Sequence, residues 1–191
     1  MTAITINFNN VLKLSDDQFY QLCRDNPDVK FERNAFGELI IMPPTGGETG
    51  KRNASIIADF VIWNRQTKLG EVFDSSTCFK LPNGPNRSPD VAWIKLERWN
   101  ALTSEQREKF PPIAPDFVLE LMSPSDSLSV VQAKMQEYMN AGVKLGWLID
   151  RKTRCVEIYR QGQPKEVLHP TSLSGEDILP GFVLDLLFLW G

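Results

Sequence analysis

Hydrophobic residues recur along the chain at spacings that alternate between those of helices and those of strands. A first helix should begin at Ser15, which with Gln18 has the spacing of a capping box, and should end near Asn26. Apolar residues at helical spacing predict two longer helices, over residues 48–68 and 126–141, and a short helix after Thr103. Strand-like runs occupy residues 30–34, 38–42, 71–74, 77–81, 90–94, 117–122, 145–149 and 156–159, and another strand is expected after Glu166.

The order of these elements predicts the class of fold. Helices and strands are mixed along the chain, and the clearest hairpin is the pair of strands within residues 30–42. This order is typical of an α/β or α+β fold with a mixed central sheet. The 191 residues are enough to bury a core, and no repeat or linker divides them, so residues 1–191 should form one domain.

Composition and charge exclude some classes of protein. The formal net charge of -3 and the sequence pI of about 5.3 argue against a passive coat for nucleic acid, but they allow a nuclease whose basic contacts are local. No signal peptide is visible, and the longest apolar run, residues 182–190, is too short for a membrane span and contains Asp185. A cytoplasmic protein without membrane contact is therefore expected.

The histidine and the cysteines exclude several kinds of catalytic site. His169 is the single histidine, it precedes a proline, and no nucleophile motif flanks it, so a Ser-His-Asp triad is not expected. Cys23, Cys78 and Cys155 lack the CxxC spacing of a zinc site and are expected to be reduced thiols. Any chemistry should therefore depend on carboxylates, lysines, hydroxyls or thiols.

Two carboxylates lie in runs that are otherwise apolar. Asp90 opens one strand-like run, and Glu120 lies inside another, where alternation places it on one face with Val118 and Met122. A lone buried charge costs several kcal/mol of hydration, so such residues need a cation, a lysine or an arginine nearby. Asp90 has the further alternative of binding backbone amides where a loop enters a strand.

Lys134 is the candidate cation for this pair. In the predicted helix over residues 126–141 it shares the apolar side with Val131, Met135 and Tyr138. It either extends its ammonium past the apolar surface into solvent or points at a buried carboxylate. Two carboxylates and a lysine together suggest a metal-dependent phosphodiesterase site, because Mg²⁺ and Mn²⁺ prefer oxygen ligands.

Several short motifs, taken in order, are similar to those of one known family. They are Met42-Pro43-Pro44-Thr45-Gly46-Gly47-Glu48, Pro89-Asp90, Glu120-Leu121-Met122-Ser123-Pro124-Ser125-Asp126, Lys134, Tyr138, Ala141-Gly142-Val143 and Trp147-Leu148-Ile149-Asp150. Their order and spacing resemble the Uma-type putative restriction endonuclease family of the PD-(D/E)XK nuclease superfamily. The resemblance covers roughly residues 15–187 and implies a restriction-endonuclease-like core, a mixed central sheet flanked by helices.

The resemblance also implies roles for individual residues. Asp90 and Glu120 match the two acids of the motif and would hold Mg²⁺ or Mn²⁺ as the cofactor. The motif's lysine usually lies two residues after the second acid, where this chain has Met122, and Lys134 would take its place. Glu48 matches an acid on the first core helix of some members and would be a further metal ligand. Its alternative is a glutamate favoured by the helix dipole.

The function implied by the resemblance is that of a metal-dependent endonuclease with DNA as its substrate. A homodimer is expected because cleavage of both strands generally needs two sites, and residues 182–190 could supply an apolar interface. Lys51 and Arg52 could contact phosphates. The alternative is a catalytically inactive nuclease-fold protein that binds nucleic acid or serves in assembly. A hydrolase using Ser123 or Ser125 is disfavoured, because the chain lacks a GxSxG motif.

Overall fold

A computed structural model describes residues 3–8 and 11–190 of the protein. The helices are α1 (Asp16–Asp25), α2 (Gly47–Thr67), α3 (Leu96–Asn100), α4 (Ser104–Glu108), α5 (Leu128–Asn140) and α6 (Leu187–Trp190). The strands are β1 (Ile4–Ile6), β2 (Lys30–Arg33), β3 (Leu39–Met42), β4 (Gly70–Asp74), β5 (Phe79–Lys80), β6 (Asn86–Arg87), β7 (Val91–Lys95), β8 (Phe117–Leu121), β9 (Leu145–Asp150), β10 (Cys155–Arg160), β11 (Glu166–Leu168), β12 (Ser172–Ser174) and β13 (Val183–Asp185).

A six-stranded sheet with the order β11-β10-β9-β8-β7-β4 forms the centre of the fold. Strand β8 runs parallel to β9, and the other neighbours in this sheet pair antiparallel. Every residue of β8 is buried, because helices cover both faces of the sheet. The predicted mixed central sheet flanked by helices is therefore confirmed.

The two faces of this sheet carry two separate hydrophobic cores. Ile56, Phe60 and Trp63 of α2 pack on one face, together with odd-numbered residues of β8. Met135 and Tyr138 of α5 pack on the opposite face, together with the even-numbered side of β8. The period-two alternation of a strand thus determines that the side chain at position 120 faces α5.

A second, five-stranded sheet with the order β1-β3-β2-β6-β5 is antiparallel throughout. The sequence predicted its hairpin, β2 and β3, but not its extension by β1 and β6. The strand predicted over residues 77–81 is shortened to β5, and β6 pairs with it through two residues. Strands of two residues have no detectable hydrophobic period, so the pattern could not reveal them.

The helix boundaries differ from the prediction by one or two residues, each for a local reason. Helix α2 ends at Thr67, because Lys68 caps it in the left-handed conformation (φ 56°). Gly70 lies beyond the helix as predicted and is the first residue of β4. Helix α5 begins at Leu128, because the Asp126 carboxylate accepts a hydrogen bond from the Ser123 amide (2.7 Å) in the turn before it. No helix among residues 3–8 and 11–190 is both long and apolar enough to cross a bilayer.

The apolar segment of residues 182–190 is largely part of the core. Phe182, Leu184, Leu186 and Leu189 are buried against the α2 face of the central sheet. Its exposed apolar residues are Val183, Leu187 and Phe188. The expectation that the whole segment offers an exposed apolar surface is wrong, because β13 follows strand periodicity and turns every second side chain inward.

We predict that Gly70→Ala lowers the free energy of unfolding by about 2 kcal/mol or more, the cost of overpacking a core. An added Cβ would lie 2.2 Å from the Ile94 carbonyl oxygen and 2.4 Å from the Trp93 ring. Gly50→Ala on α2 is the matched control, because a Cβ there meets no atom within 4 Å. The control should be neutral or stabilising by up to about 1 kcal/mol in urea unfolding. Equal stabilities of the two variants would contradict this packing.

Candidate active site

A cleft of about 750 Å³ contains the side chains that the sequence singled out. Asp90 lies immediately before β7, Glu120 lies in β8, Lys134 on α5 and Glu48 in the first turn of α2, and all four line the cleft. The loop between β3 and α2 and the segment that follows β8 complete its walls. The fold therefore brings together residues from four separate segments of the chain.

Asp90 and Glu120 are neighbours on adjacent antiparallel strands. Val91 pairs with Leu119, so extending this register by one residue places Asp90 opposite Glu120. Directly opposed residues project from the same face of a sheet, with Cβ atoms about 5 Å apart. The two oxygens of Asp90 accept hydrogen bonds from the Leu121 amide (2.8 Å) and the Asn53 side-chain amide (3.0 Å). Burial raises the pKa of Asp90, and these hydrogen bonds oppose that shift.

Glu120 is the deepest of the cleft carboxylates, with 7 % of its surface exposed. Its Oε1 atom accepts hydrogen bonds from the Lys134 ammonium (2.8 Å) and from the Tyr138 hydroxyl (2.9 Å). The partner is thus a lysine and not an arginine. Burial raises the pKa of Glu120 to about 7, assisted by the charges of Asp90 and Glu32 and opposed by Lys134.

Lys134 points into the protein, and its side chain is only 11 % exposed. The ammonium donates to Glu120 (2.8 Å), to Oε1 of Glu32 (3.0 Å) and to the Ser88 carbonyl (3.3 Å). These three acceptors match the three N–H bonds of an ammonium group. The sequence allowed the ammonium of Lys134 either to extend into solvent or to point at a buried carboxylate, and the first alternative is wrong. Burial opposes the charge of Lys134, but Glu120 and Glu32 raise its pKa above the ordinary value.

Glu32 is a buried residue behind the cleft that sequence reasoning missed. It lies in β2 with 1 % of its surface exposed, and its carboxylate accepts hydrogen bonds from Arg87 (2.9 Å) and the Ser88 amide (3.0 Å). Burial opposes its ionisation, but Lys134 and Arg87 lower the pKa of Glu32 to about 2. No sequence signal marks it, because a glutamate in a polar hairpin strand is typical of an exposed position.

Glu48 lies at the rim of the cleft. Its side chain is 74 % exposed and forms an ion pair with Arg52 (2.6 Å) one turn along α2. Among residues 3–8 and 11–190, no group of three or more histidine, cysteine, aspartate or glutamate side chains has the geometry to hold a metal. Glu48 therefore does not converge with Asp90 and Glu120 in this arrangement. Lys51 and Arg52, the expected phosphate contacts, are not among the residues that line the cleft.

The oxygen atoms of the cleft fit a hard divalent cation. The Oε2 atom of Glu120 has no hydrogen-bond or ion-pair partner in the described part of the chain, and each Asp90 oxygen keeps a lone pair. The Oδ1 atom of Asn53, beside Asp90, is buried and accepts no hydrogen bond from any described residue. Mg²⁺ is commonly held by one or two carboxylates with water and substrate phosphate in its other positions. Two acids with open positions suit such an ion.

Met122 and the serines that follow it were also considered as site residues. Met122, at the position of the usual lysine, is buried in the core under α5. Ser123 and Ser125 line the cleft with their hydroxyl oxygens 3.2 Å apart, but no histidine lies among the described lining residues. The imidazole of His169 lies 3.1 Å from the Arg154 carbonyl instead. A serine hydrolase with a histidine base is therefore not supported.

Comparison with known proteins finds a matching family model and a similar solved structure. The Uma2 family model, described as "Putative restriction endonuclease", matches residues 16–187. The crystal structure of a putative nuclease belonging to DUF820 from Anabaena variabilis ATCC 29413 is similar, with a TM-score of 0.71 and 20 % sequence identity. The match covers 84 % of this chain and 89 % of that chain, and at this identity it shows a shared fold alone. No curated protein matches the chain.

We predict that the free energy of unfolding of Glu120→Gln increases relative to that of the wild type as pH rises from 5 to 8 in EDTA. The fold raises the pKa of Glu120 from 4.5 to about 7, so its contribution to stability is full below 4.5 and is lost as pH rises through 7. Glutamine imitates the protonated acid and does not lose this contribution. The difference in unfolding free energy should therefore grow by on the order of 1–3 kcal/mol.

Glu157→Gln is the control for this measurement. Glu157 is also buried, but hydrogen bonds from Tyr159, Lys165 and Gln132 outweigh burial and lower its pKa below 4.5. Its stabilising contribution is complete above that value, so its difference from the wild type should stay constant between pH 5 and 8. If the difference in unfolding free energy between Glu120→Gln and the wild type were also independent of pH, the fold would not raise the pKa of Glu120.

Proposed function

The chain belongs to the Uma2 family, described as "Putative restriction endonuclease", and from that premise we propose that it is a metal-dependent DNA endonuclease. The supporting observation is that Asp90, Glu120 and Lys134 meet in one cleft although they come from three separate segments of the chain. The reaction is hydrolysis of a phosphodiester bond. Two acids can hold a metal ion that activates water for such a reaction, and a buried lysine can stabilise the charge that develops.

The metal site consists of Asp90 and Glu120. Oε2 of Glu120 and the remaining lone pairs of Asp90 would hold Mg²⁺ or Mn²⁺, with Glu48 as a further ligand if its ion pair with Arg52 opens. A bound cation would polarise the scissile phosphate and lower the pKa of the attacking water. Asn53 and the Leu121 amide fix the orientation of Asp90 through their hydrogen bonds (3.0 and 2.8 Å).

Lys134 acts beside the metal site. Its ammonium lies 2.8 Å from Glu120 and is held away from bulk solvent, so its charge is weakly screened. A fixed cation there can orient the attacking water or stabilise the charge of the pentacovalent transition state. Lys30, which also lines the cleft, would contact the DNA backbone in place of Lys51 and Arg52.

A catalytically inactive nuclease-fold protein that binds nucleic acid or serves in assembly is the second candidate. Two observations favour it: Met122 is buried at the usual lysine position, and the ammonium of Lys134 is fully engaged by its three acceptors. Calorimetry separates the candidates. An inactive scaffold should show no Mn²⁺ site that depends on Asp90 and Glu120.

We predict that Asp90→Asn and Glu120→Gln each abolish DNA cleavage and weaken Mn²⁺ binding, because each removes a ligand charge while preserving shape. Plasmid, linear duplex and single-stranded DNA are incubated with Mg²⁺, Mn²⁺ or EDTA, and Mn²⁺ affinity is measured by calorimetry. Glu48→Ala should have a smaller effect, since its carboxylate is exposed at the rim. Glu157→Gln, outside the cleft, serves as the control. Wild-type cleavage by either cleft variant would reject the metal site.

We predict that Lys134→Met slows cleavage by about a hundredfold or more, the scale of losing one preorganised electrostatic contact. Methionine retains the apolar stem and removes the charge. Mn²⁺ affinity should be unchanged or higher. The ammonium that contacts Oε1 of Glu120 is removed, so it no longer competes with the cation for that carboxylate. Single-turnover rates and Mn²⁺ calorimetry test both parts. A wild-type rate would show that the ammonium of Lys134 takes no part in cleavage.

We predict a homodimer, because two active sites are needed to cut both strands of a duplex. The exposed residues of the C-terminal segment, Val183, Leu187 and Phe188, are candidates for its interface. Light scattering at micromolar concentration should give twice the chain mass of 21.7 kDa. Leu187→Ser should shift the equilibrium towards monomer. A wild-type monomer would contradict the prediction.

A further inference from the structure

Glu32 is tied to Lys134 by a closed loop of ion pairs. From α5, Lys134 reaches Glu32 (3.0 Å), Glu32 binds Arg87 (2.9 Å), and Arg87 binds Glu137 (2.6 Å), which lies back on α5. Lys134 and Glu137 are three residues apart, so they project from the same side of the helix. The loop therefore fixes one turn of α5 against β2 and β6 of the second sheet.

A cation at the proposed metal site would disturb one half of the Lys134 environment. Lys134 and the metal ion would share the carboxylate of Glu120, and their positive charges repel each other. If Glu120 were the only carboxylate near Lys134, the lysine would either compete with the metal or leave the cleft. The second carboxylate, Glu32, lies on the side of Lys134 that belongs to the other sheet.

We infer that Glu32 is the positioning residue that retains Lys134 beside the reacting phosphate while Glu120 binds metal. Glu32 neither lines the cleft nor is grouped with Asp90 and Glu120, so it acts through Lys134 and not as a ligand. Its own orientation is fixed by Arg87 and the Ser88 amide. The inference rests on the proposed function and adds to it the reason why the lysine can reside on α5.

The alternative is a purely structural role in which Glu32 only neutralises the buried Arg87. If Glu32 had only a structural role, its replacement would change the stability of the fold but not the position or the accessibility of the Lys134 ammonium. The two roles therefore differ in the coupling between Glu32 and Lys134. They also differ in the chemical accessibility of the Lys134 amine, which can be measured without any cleavage.

The test is a double-mutant cycle with Glu32→Gln, Lys134→Met and the double variant. Glu32→Gln should lower kcat at least tenfold at saturating Mn²⁺ while leaving KM for DNA unchanged, and should weaken Mn²⁺ binding severalfold as Lys134 turns to Glu120. The double variant should be no slower than Lys134→Met alone. Glu32→Asp keeps the charge and should be faster than Glu32→Gln. If the glutamine variant does not fold, the aspartate variant enters the cycle in its place.

A second readout does not depend on catalysis. Reductive methylation of Lys134, measured by mass spectrometry against the exposed Lys152 as an internal standard, should increase severalfold in Glu32→Gln in EDTA. Glu157→Gln is the matched control, because Glu157 is also a buried glutamate that binds α5, through Gln132 (2.6 Å). The control should leave both the methylation of Lys134 and kcat at wild-type values.

Three results would overturn the inference. They are multiplicative losses of kcat in the double variant, unchanged Lys134 methylation in Glu32→Gln, and equal losses in Glu32→Gln and Glu157→Gln. The proposed function fails separately if the wild-type protein cleaves no DNA with any metal. In that case the methylation and Mn²⁺ affinities still decide whether Glu32 positions Lys134.

Discussion

The ammonium of Lys134, shared between carboxylates of two different sheets, is the contact on which the cleft depends. Glu120 belongs to the central sheet and Glu32 to the second sheet, and the lysine lies 2.8 and 3.0 Å from them. Buried charges are costly unless each is paired, and removing one partner of a buried pair typically costs about 3–5 kcal/mol. The burial of Glu120 is therefore tolerable only while Lys134 is present, whereas Glu32 is also paired with Arg87 (2.9 Å).

The position of this contact follows from two simple periodicities. Strand β8 is buried on both faces, and its alternation turns Glu120 towards α5. Helix α5 follows in the chain, and its three- and four-residue spacing places Lys134 on the same side as Tyr138, which also donates to Glu120 (2.9 Å). The register between β7 and β8 then adds Asp90 opposite Glu120. A strand, the next helix and one neighbouring strand thus assemble most of the site.

The parts of the site that could be predicted are those that depend on local periodicity. Glu120 and Lys134 were visible because a charge interrupts an otherwise apolar face, and the mixed central sheet followed from the order of long, periodic elements. Glu32 and Arg87 could not be found in this way, because β2 looks like an exposed hairpin strand and β6 has only two residues. Their burial results from long-range pairing, which no local pattern encodes. The exposure of the C-terminal segment was misjudged for a related reason. Its apolar run was expected to be exposed, but strand β13 turns alternate residues into the core.

Under the proposed function, the cleft is a cation site whose lysine is retained by a second carboxylate. X-ray diffraction from crystals grown with Mn²⁺ tests this most directly, because anomalous scattering locates the ion independently of any assay. We predict a Mn²⁺ peak in contact with Asp90 and Glu120, with the Lys134 ammonium still on Glu32. A cleft without a peak at saturating Mn²⁺, or a peak that is not bound by these two carboxylates, would contradict the proposed metal site.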